Sequence, residues 1–292
     1  MKKLITIHKL HNLERLLSIT DGVILGHHDF GTRLTASFSA EDINQAISLT
    51  QKLHKELFIN ANHMMTDEQL SSFSLWLDRI DLNGVTGIIT SDLGALVLLE
   101  QKGLHQKAIY NPETLITNTY DFNFLHAFNL YGVFAAKEIT IEDLKIIGKG
   151  KSLKMFMVGH GHLNMFYSKR QLIQNYLDYL NESHDLHLRQ DLTLIEEHRK
   201  EEAYPILEDK AGTHVFRSHV MHAMYQLETL SSFLDYMIID TLFKDDSYGY
   251  DVAIMYHTKN NAMIKTLQEH YQESWDEGFF YKKTIYKGKG GE

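Results

Sequence analysis

Eight short apolar runs punctuate the chain: LITI (4–7), GVILG (22–26), LFINA (57–61), GIIT (87–90), AIYN (108–111), GVFAA (132–136), MFMV (155–158) and YMIID (236–240). Each of the first seven is followed by a segment of helical pattern. Short apolar runs bounded by turn signals read as strands, and strands that alternate with helices pair in parallel. Eight such units argue for a closed (β/α)8 TIM-type barrel, an α/β fold, over an open sheet.

Local signals support this reading. Ser39 with Asp42, Thr66 with Gln69, and Thr140 with Asp143 have the spacing of a capping box, in which side chains satisfy free N–H groups at a helix start. Ser168 with Gln171 has it too, which predicts a helix over 168–180. The seventh connection is too long for a simple crossover, so residues 184–232 read as an insertion, a hairpin and a helix, before the eighth strand. The tail reads as a closing helix. Prolines occur only at 112 and 205, so no Pro-rich linker divides the chain and a single domain over 1–292 is expected.

Composition narrows the chemistry. The absence of cysteine removes disulfides, thiolate nucleophiles, cysteine-held iron–sulfur clusters and Cys-type zinc sites on this chain. A net charge of −9 excludes a global basic footprint for nucleic acid and leaves local patches, at Lys149–Lys151 with Lys154 and at Lys169–Arg170. No run of eighteen apolar residues is present and the start has only a four-residue apolar stretch, so a cytoplasmic protein with no membrane partner is expected.

In such barrels functional groups sit at the C-terminal strand ends. That rule nominates His27–Asp29 after strand two, Asn60, Asn62 and His63 after strand three, and Ser91–Asp92 after strand four. Asn111 and Glu113 follow strand five, Lys137 and Glu138 strand six, His160, His162 and Asn164 strand seven, and Asp240 strand eight. Three readings of the GHGH stretch at 159–162 stand open. His160 and His162 are candidate metal ligands, with Asp92 as a carboxylate from another strand, although about one His-x-His pair is expected by chance among 18 histidines. The same stretch, as a glycine-rich loop entering a helix beside Lys169 and Arg170, is a candidate anion site. Its glycines also serve a plain tight turn. Glu138 beside Lys137 is a candidate general acid or base, with a rim ion pair as the bland alternative.

The residues MVGHGHLNMFYSKRQLI (157–173) resemble the signature loop of peptidase family U32, the collagenase-like group. With the motif glycine set on Gly161, Leu163 falls in place and the two cysteine positions fall on Asn164 and Gln171. The motif's glutamate, phenylalanine and later glycine fall on Phe156, Val158 and Lys169. YPILEDKAGTHVFRS (204–218) is similar to the family's Tyr-Pro, Glu-Asp, Gly-Thr segment, and FSAEDINQAI (38–47) to the opening of its second helix. The resemblance implies a barrel and, historically, a peptidase activity. It is closest in kind to short members that support hydroxylation of the tRNA wobble uridine to 5-hydroxyuridine, with prephenate as co-substrate. Lys137, Asn164, Lys169, Arg170 and Arg217 are then the expected substrate-binding residues, and His160, His162 and Glu138 the expected catalytic ones. The implied partners are tRNA and a larger, cysteine-bearing paralog for which this chain is the non-catalytic half. The peptidase reading requires a metal-activated water on His160, His162 and Glu138 or Asp92.

Overall fold

The computed structural model describes residues 1–282. Its strands are β1 (Lys2–Thr6), β2 (Gly22–Gly26), β3 (Glu56–Asn60), β4 (Gly87–Thr90), β5 (Ala108–Tyr110), β6 (Gly132–Phe134), β7 (Lys154–Ser168), β8 (Thr193–Glu196), β9 (Arg199–Asp209), β10 (Gly212–His222), β11 (Tyr236–Ile239) and β12 (Trp275–Asp276). The helices are α1 (Leu13–Leu17), α2 (Ala40–Lys52), α3 (Asp67–Leu77), α4 (Leu93–Gln101), α5 (Thr119–Phe124), α6 (Ile141–Gly150), α7 (Leu172–Leu180), α8 (Leu227–Ser231), α9 (Asp246–Thr258) and α10 (Met263–Tyr271).

Strands β1 to β7 pair in parallel in sequence order, β11 pairs with β7, and β1 pairs with β11. The ring is therefore a closed eight-stranded parallel barrel with helices outside, as the alternating pattern requires. Leu4, Ile24, Phe58, Ile89, Phe134, Phe156 and Ile238 fill its interior, and Phe156 stacks on Tyr236 with ring centroids 4.4 Å apart. A larger apolar layer lies between barrel and helices. The capping boxes expected at Ser39, Thr66 and Thr140 are all formed.

The GHGH stretch is not a loop. It lies inside β7, where that strand changes partners. As far as Val158 the strand runs parallel to β11; a register shift follows, and Ile239 then faces His160. Beyond it β7 runs antiparallel to β10, with His160 opposite His222 and Tyr167 opposite His214. Gly161 has φ +136 and a Cβ there would lie 2.8 Å from the Asp240 carbonyl oxygen. The glycine thus serves the strand's departure from the barrel wall.

Three further expectations are corrected. The helix after this stretch starts at Leu172, and Ser168 does not cap it. Ser168 instead ends β7, and the Gln171 amide donates to the Asp209 carbonyl at 2.8 Å. The insertion's helix is only α8, because residues 219–222 extend β10. The closing segment is two helices, α9 and α10, followed by β12. In the first two cases long-range pairing overrides a locally helical pattern; in the third the helix breaks where Lys259 takes a left-handed φ of 54.

Candidate functional site

The C-terminal ends of the barrel strands enclose a cavity of about 100 Å³, open to solvent on one side. Ile24, Ile89, Phe134 and Ile238 form its floor, and Arg33, Asn60, Glu113, Lys137, His162 and Asp240 stand on its wall. Asn62, Asn111 and Asn164 also face it.

Glu113 joins two cations across this mouth. Its Oε1 accepts from Arg33 Nη2 at 2.5 Å and its Oε2 from Lys137 Nζ at 2.6 Å. The side chains of Arg33 and Lys137 are only 11% and 12% exposed, so solvent screens this triad weakly. Burial pushes the Glu113 carboxyl up, but Arg33 and Lys137 overcome it and hold the group at about 2. Arg33 (φ 54) and Glu113 (φ 66) are both in the left-handed region, at a cost of roughly 1–2 kcal/mol each for a residue with a Cβ. Such backbone persists only where surroundings over-determine it. Here the Arg33 N–H donates to Asp209 Oδ2 at 2.9 Å and the Glu113 N–H to Asn111 Oδ1 at 3.2 Å.

Behind Arg33 lies a buried polar chain. His214 is fully buried, and its Nδ1 is 3.4 Å from Arg33 Nη1. A guanidinium only donates, so Nδ1 carries the lone pair and the imidazole is the Nε2–H tautomer. That hydrogen faces Asp209 Oδ1 at 3.2 Å and Thr32 Oγ1 at 2.9 Å, while the Thr32 hydroxyl donates to Asp209 Oδ2 at 2.7 Å. Burial pushes His214 down, with Asp209 acting the other way. Burial likewise raises Asp209, but the hydrogen bonds it accepts hold it well below the usual carboxylate range. The Tyr167 ring stacks on His214, 4.8 Å between centroids. His214, Asp209 and Tyr167 lie off the pocket wall and orient Arg33, while Thr32 lines the pocket itself.

On the opposite wall, Asp240 Oδ1 accepts from Thr6 Oγ1 at 3.3 Å and from the Leu242 N–H at 3.1 Å. Burial raises its carboxyl above the ordinary value. His162 Nδ1 donates to the Arg217 carbonyl at 2.8 Å, since a carbonyl only accepts. Its Nε2 stands 3.8 Å from Glu273 Oε1.

Of the residues nominated from sequence, Lys137, His162 and Asn164 face this pocket, and so do Asn60, Asn62, Asn111, Glu113 and Asp240. Glu138 does not: it is exposed and off the pocket wall. His160 is fully buried behind the barrel wall, its Nε2 2.7 Å from the Tyr248 hydroxyl, and burial holds it down at about 3. It belongs to an aromatic cluster with Tyr256 and Trp275. A regular strand would put His160 and His162 on one face, but the register shift after Val158 and the φ of +136 at Gly161 break that two-residue period. The metal set His160, His162 and Asp92 is not assembled, since Asp92 caps α4 by accepting from the Ala95 N–H at 2.9 Å and also accepts from Met65 N–H.

The expected cation set is likewise dispersed. Arg217 makes two hydrogen bonds to the Asp276 carboxylate, at 2.9 and 2.6 Å, away from the mouth. Lys169 and Arg170 are exposed, and Lys169 Nζ donates to the Met64 carbonyl at 3.2 Å. Lys154 opens β7 at the other end of the barrel, its ammonium 4.8 Å from the Tyr131 ring centre, and Lys151 pairs there with Asp235. The anion site at the helix start is already filled by the chain itself: Glu208 accepts from the N–H groups of Ile173 and Gln174 at 2.8 and 3.1 Å.

Thr32, Arg33, Asp209 and His214 were missed. Asp209 and His214 lie in the YPILEDKAGTH segment, which pointed to the family without assigning them a role. Thr32 and Arg33 follow β2 by several residues, and nothing local marks them.

The closed parallel barrel, whose C-terminal mouth presents paired charges above an apolar floor, is a TIM-type barrel. The chain belongs to peptidase family U32, whose model matches residues 9–283. The chain is 25% identical over 282 residues to tRNA hydroxylation protein P2 of Bacillus subtilis, covering 90% of this chain and 91% of that one. A 23S rRNA 5-hydroxycytidine synthase of Escherichia coli is 24% identical over 156 residues, covering 53% of this chain and 23% of the synthase. Among solved structures, the U32 peptidase Mk0906 superposes with a TM-score of 0.51 at 9% identity, covering 82% of this chain and 92% of the other. That likeness supports the barrel fold alone. No helix among the described residues is long and apolar enough to cross a membrane.

Proposed function

We propose that this chain supports hydroxylation of the tRNA wobble uridine to 5-hydroxyuridine. The observation that carries this reading is the similarity to a tRNA hydroxylation protein over nine-tenths of both chains. The shorter match is also to a protein named for RNA hydroxylation. The mouth suits the task. A base in an RNA loop meets a barrel interior only if it is turned out of its stack. The apolar floor of Ile24, Ile89 and Phe134 offers contact to a flat ring, and the amides of Asn60, Asn62 and Asn164 offer donors and acceptors for its edge. A carboxylate co-substrate such as prephenate meets Arg33 and Lys137 in competition with Glu113, which replaces the cation set expected from sequence. The absence of cysteine favours a second feature of the reading: a larger, cysteine-bearing U32 chain as a partner in the cell.

Mass spectrometry of tRNA nucleosides from strains with and without the gene tests the reading. Loss of 5-hydroxyuridine or of nucleosides built on it is expected. Unchanged nucleosides would overturn it.

A further inference from the structure

We propose that His27, His28 and Asp29 form a three-ligand site for a divalent transition-metal ion of the zinc class, on the barrel rim just after β2. The inference is independent of the RNA reading and concerns a site separate from the pocket wall.

Three consecutive side chains rarely converge. Here they do so because the chain turns sharply: the N–H groups of Phe30 and Gly31 both donate to the His27 carbonyl, at 2.9 and 2.8 Å. One donor atom from each of the three residues lies within 4.8 Å of the others. His27 Nδ1 is 3.4 Å from Asp29 Oδ2, and His28 Nε2 is 3.4 Å from Asp29 Oδ1. A tetrahedral ion with bonds of about 2.0–2.1 Å separates neighbouring donors by about 3.4 Å. Each histidine is at that distance from one of the two Asp29 oxygens, and a small rotation of the side chains brings all three donors onto one ion from within 4.8 Å.

The hydrogen positions point the same way. The Asp29 N–H is directed at His27 Nδ1 at 3.3 Å, and an N–H only donates, so that nitrogen carries a lone pair. His28 Nδ1 is 2.8 Å from Ser37 Oγ, which also accepts from the His28 N–H at 3.0 Å. With Nδ1–H donated to Ser37, His28 Nε2 is bare as well, and the ring is held by the kind of outer hydrogen bond that orients metal-binding histidines. Two acceptor nitrogens and a carboxylate then lie together, an arrangement that a cation stabilises, with the ion taking over the His27 lone pair from the long 3.3 Å contact of the Asp29 N–H. The cation now present is Lys210, whose Nζ is 2.5 Å from Asp29 Oδ1. It occupies the place of the missing charge from the turn between β9 and β10. Three protein ligands leave a fourth position open to water or a ligand. The same turn leads into Thr32 and Arg33, so an ion here stiffens the segment that delivers Arg33 to the pocket.

Cobalt(II) titrated into the full chain provides the test, read by its visible absorption in a tetrahedral site. One equivalent is expected, displaced by zinc. His28→Gln, at a position with a side chain 36% exposed, weakens binding by at least about tenfold. Lys210→Met tightens it by removing the competing ammonium. No absorption band, a band unchanged in His28→Gln, or unaltered or weaker binding in Lys210→Met would each overturn the proposal.

Discussion

The Arg33 guanidinium meets the Glu113 carboxylate at 2.5 Å across the barrel mouth, and both residues are held in the left-handed backbone region. One residue follows β2 and the other follows β5, so the contact exists only once the barrel closes. Lys137 shares the same carboxylate from the end of β6. The pocket wall therefore carries two cations on one carboxylate, net +1 while Glu113 is ionised, and that arrangement depends on pH.

Glu113 has a folded value of about 2 against an ordinary 4.5. A depressed carboxylate stabilises the fold above its ordinary value and loses that contribution as pH falls towards the folded one. Stability should thus decline between about pH 4.5 and 2. Glu113→Gln is expected to cost about 2 kcal/mol at neutral pH, less than a fully buried pair because the side chain is partly exposed. The variant should also flatten the acid limb. Urea unfolding midpoints across pH measure both, and parallel acid limbs in the two proteins would remove Glu113 from this role.

Arg33 serves two partners at once, Glu113 through Nη2 and His214 through Nη1. Lysine is a point charge on a flexible stem and cannot reproduce that fork. On the proposed function, Arg33→Lys lowers tRNA 5-hydroxyuridine by roughly tenfold or more, the equivalent of one lost charge-assisted hydrogen bond. Nucleoside analysis of a complemented deletion strain reads this, with immunoblotting to show equal protein. Full complementation would place Arg33 outside the functional machinery.

His160 is buried as a neutral ring, held at about 3 against an ordinary 6.5. The unfolded chain takes up a proton that the folded chain refuses, so stability is lost as pH falls from about 6.5 towards 3. His160→Phe should cost about 1 kcal/mol at pH 7, through the lost bond to Tyr248, and should soften the decline below pH 6.5. Because the residue does not face the pocket, tRNA modification should persist in the variant. Abolished modification in a stably folded His160→Phe protein would restore the catalytic role expected from sequence.

Glu208 satisfies two N–H groups at the start of α7 and also accepts from the Thr213 hydroxyl at 2.6 Å. Glu208→Ala should expose those groups at a cost of about 1–2 kcal/mol, confined to the helix start. Hydrogen exchange of the peptide spanning 172–180 is expected to quicken by about tenfold. Unaltered exchange there would show that the helix is held from its other face.

Much of this molecule was legible in one dimension. The eight apolar runs name all eight barrel strands, and the rule that strand ends carry the polar groups found Asn60, Glu113, Lys137, His162 and Asp240. The failures share a cause. His160 and His162 look equivalent in sequence and a regular strand would turn them the same way, yet the register shift after Val158 and the φ of Gly161 part them, and only His162 reaches the mouth. Ser168 looks like a cap, yet β10 draws it into a strand and Glu208, 35 residues beyond Ile173, caps the helix instead.

Closure of the barrel was determined by the sequence itself, because apolar period, turn residues and capping boxes are local properties that act wherever the chain goes. The composition of the mouth was decided only by tertiary structure. Arg33, Glu113, Lys137 and His214 come from four separate segments, and electrostatic interaction depends on distance through space, which no spacing along the chain records.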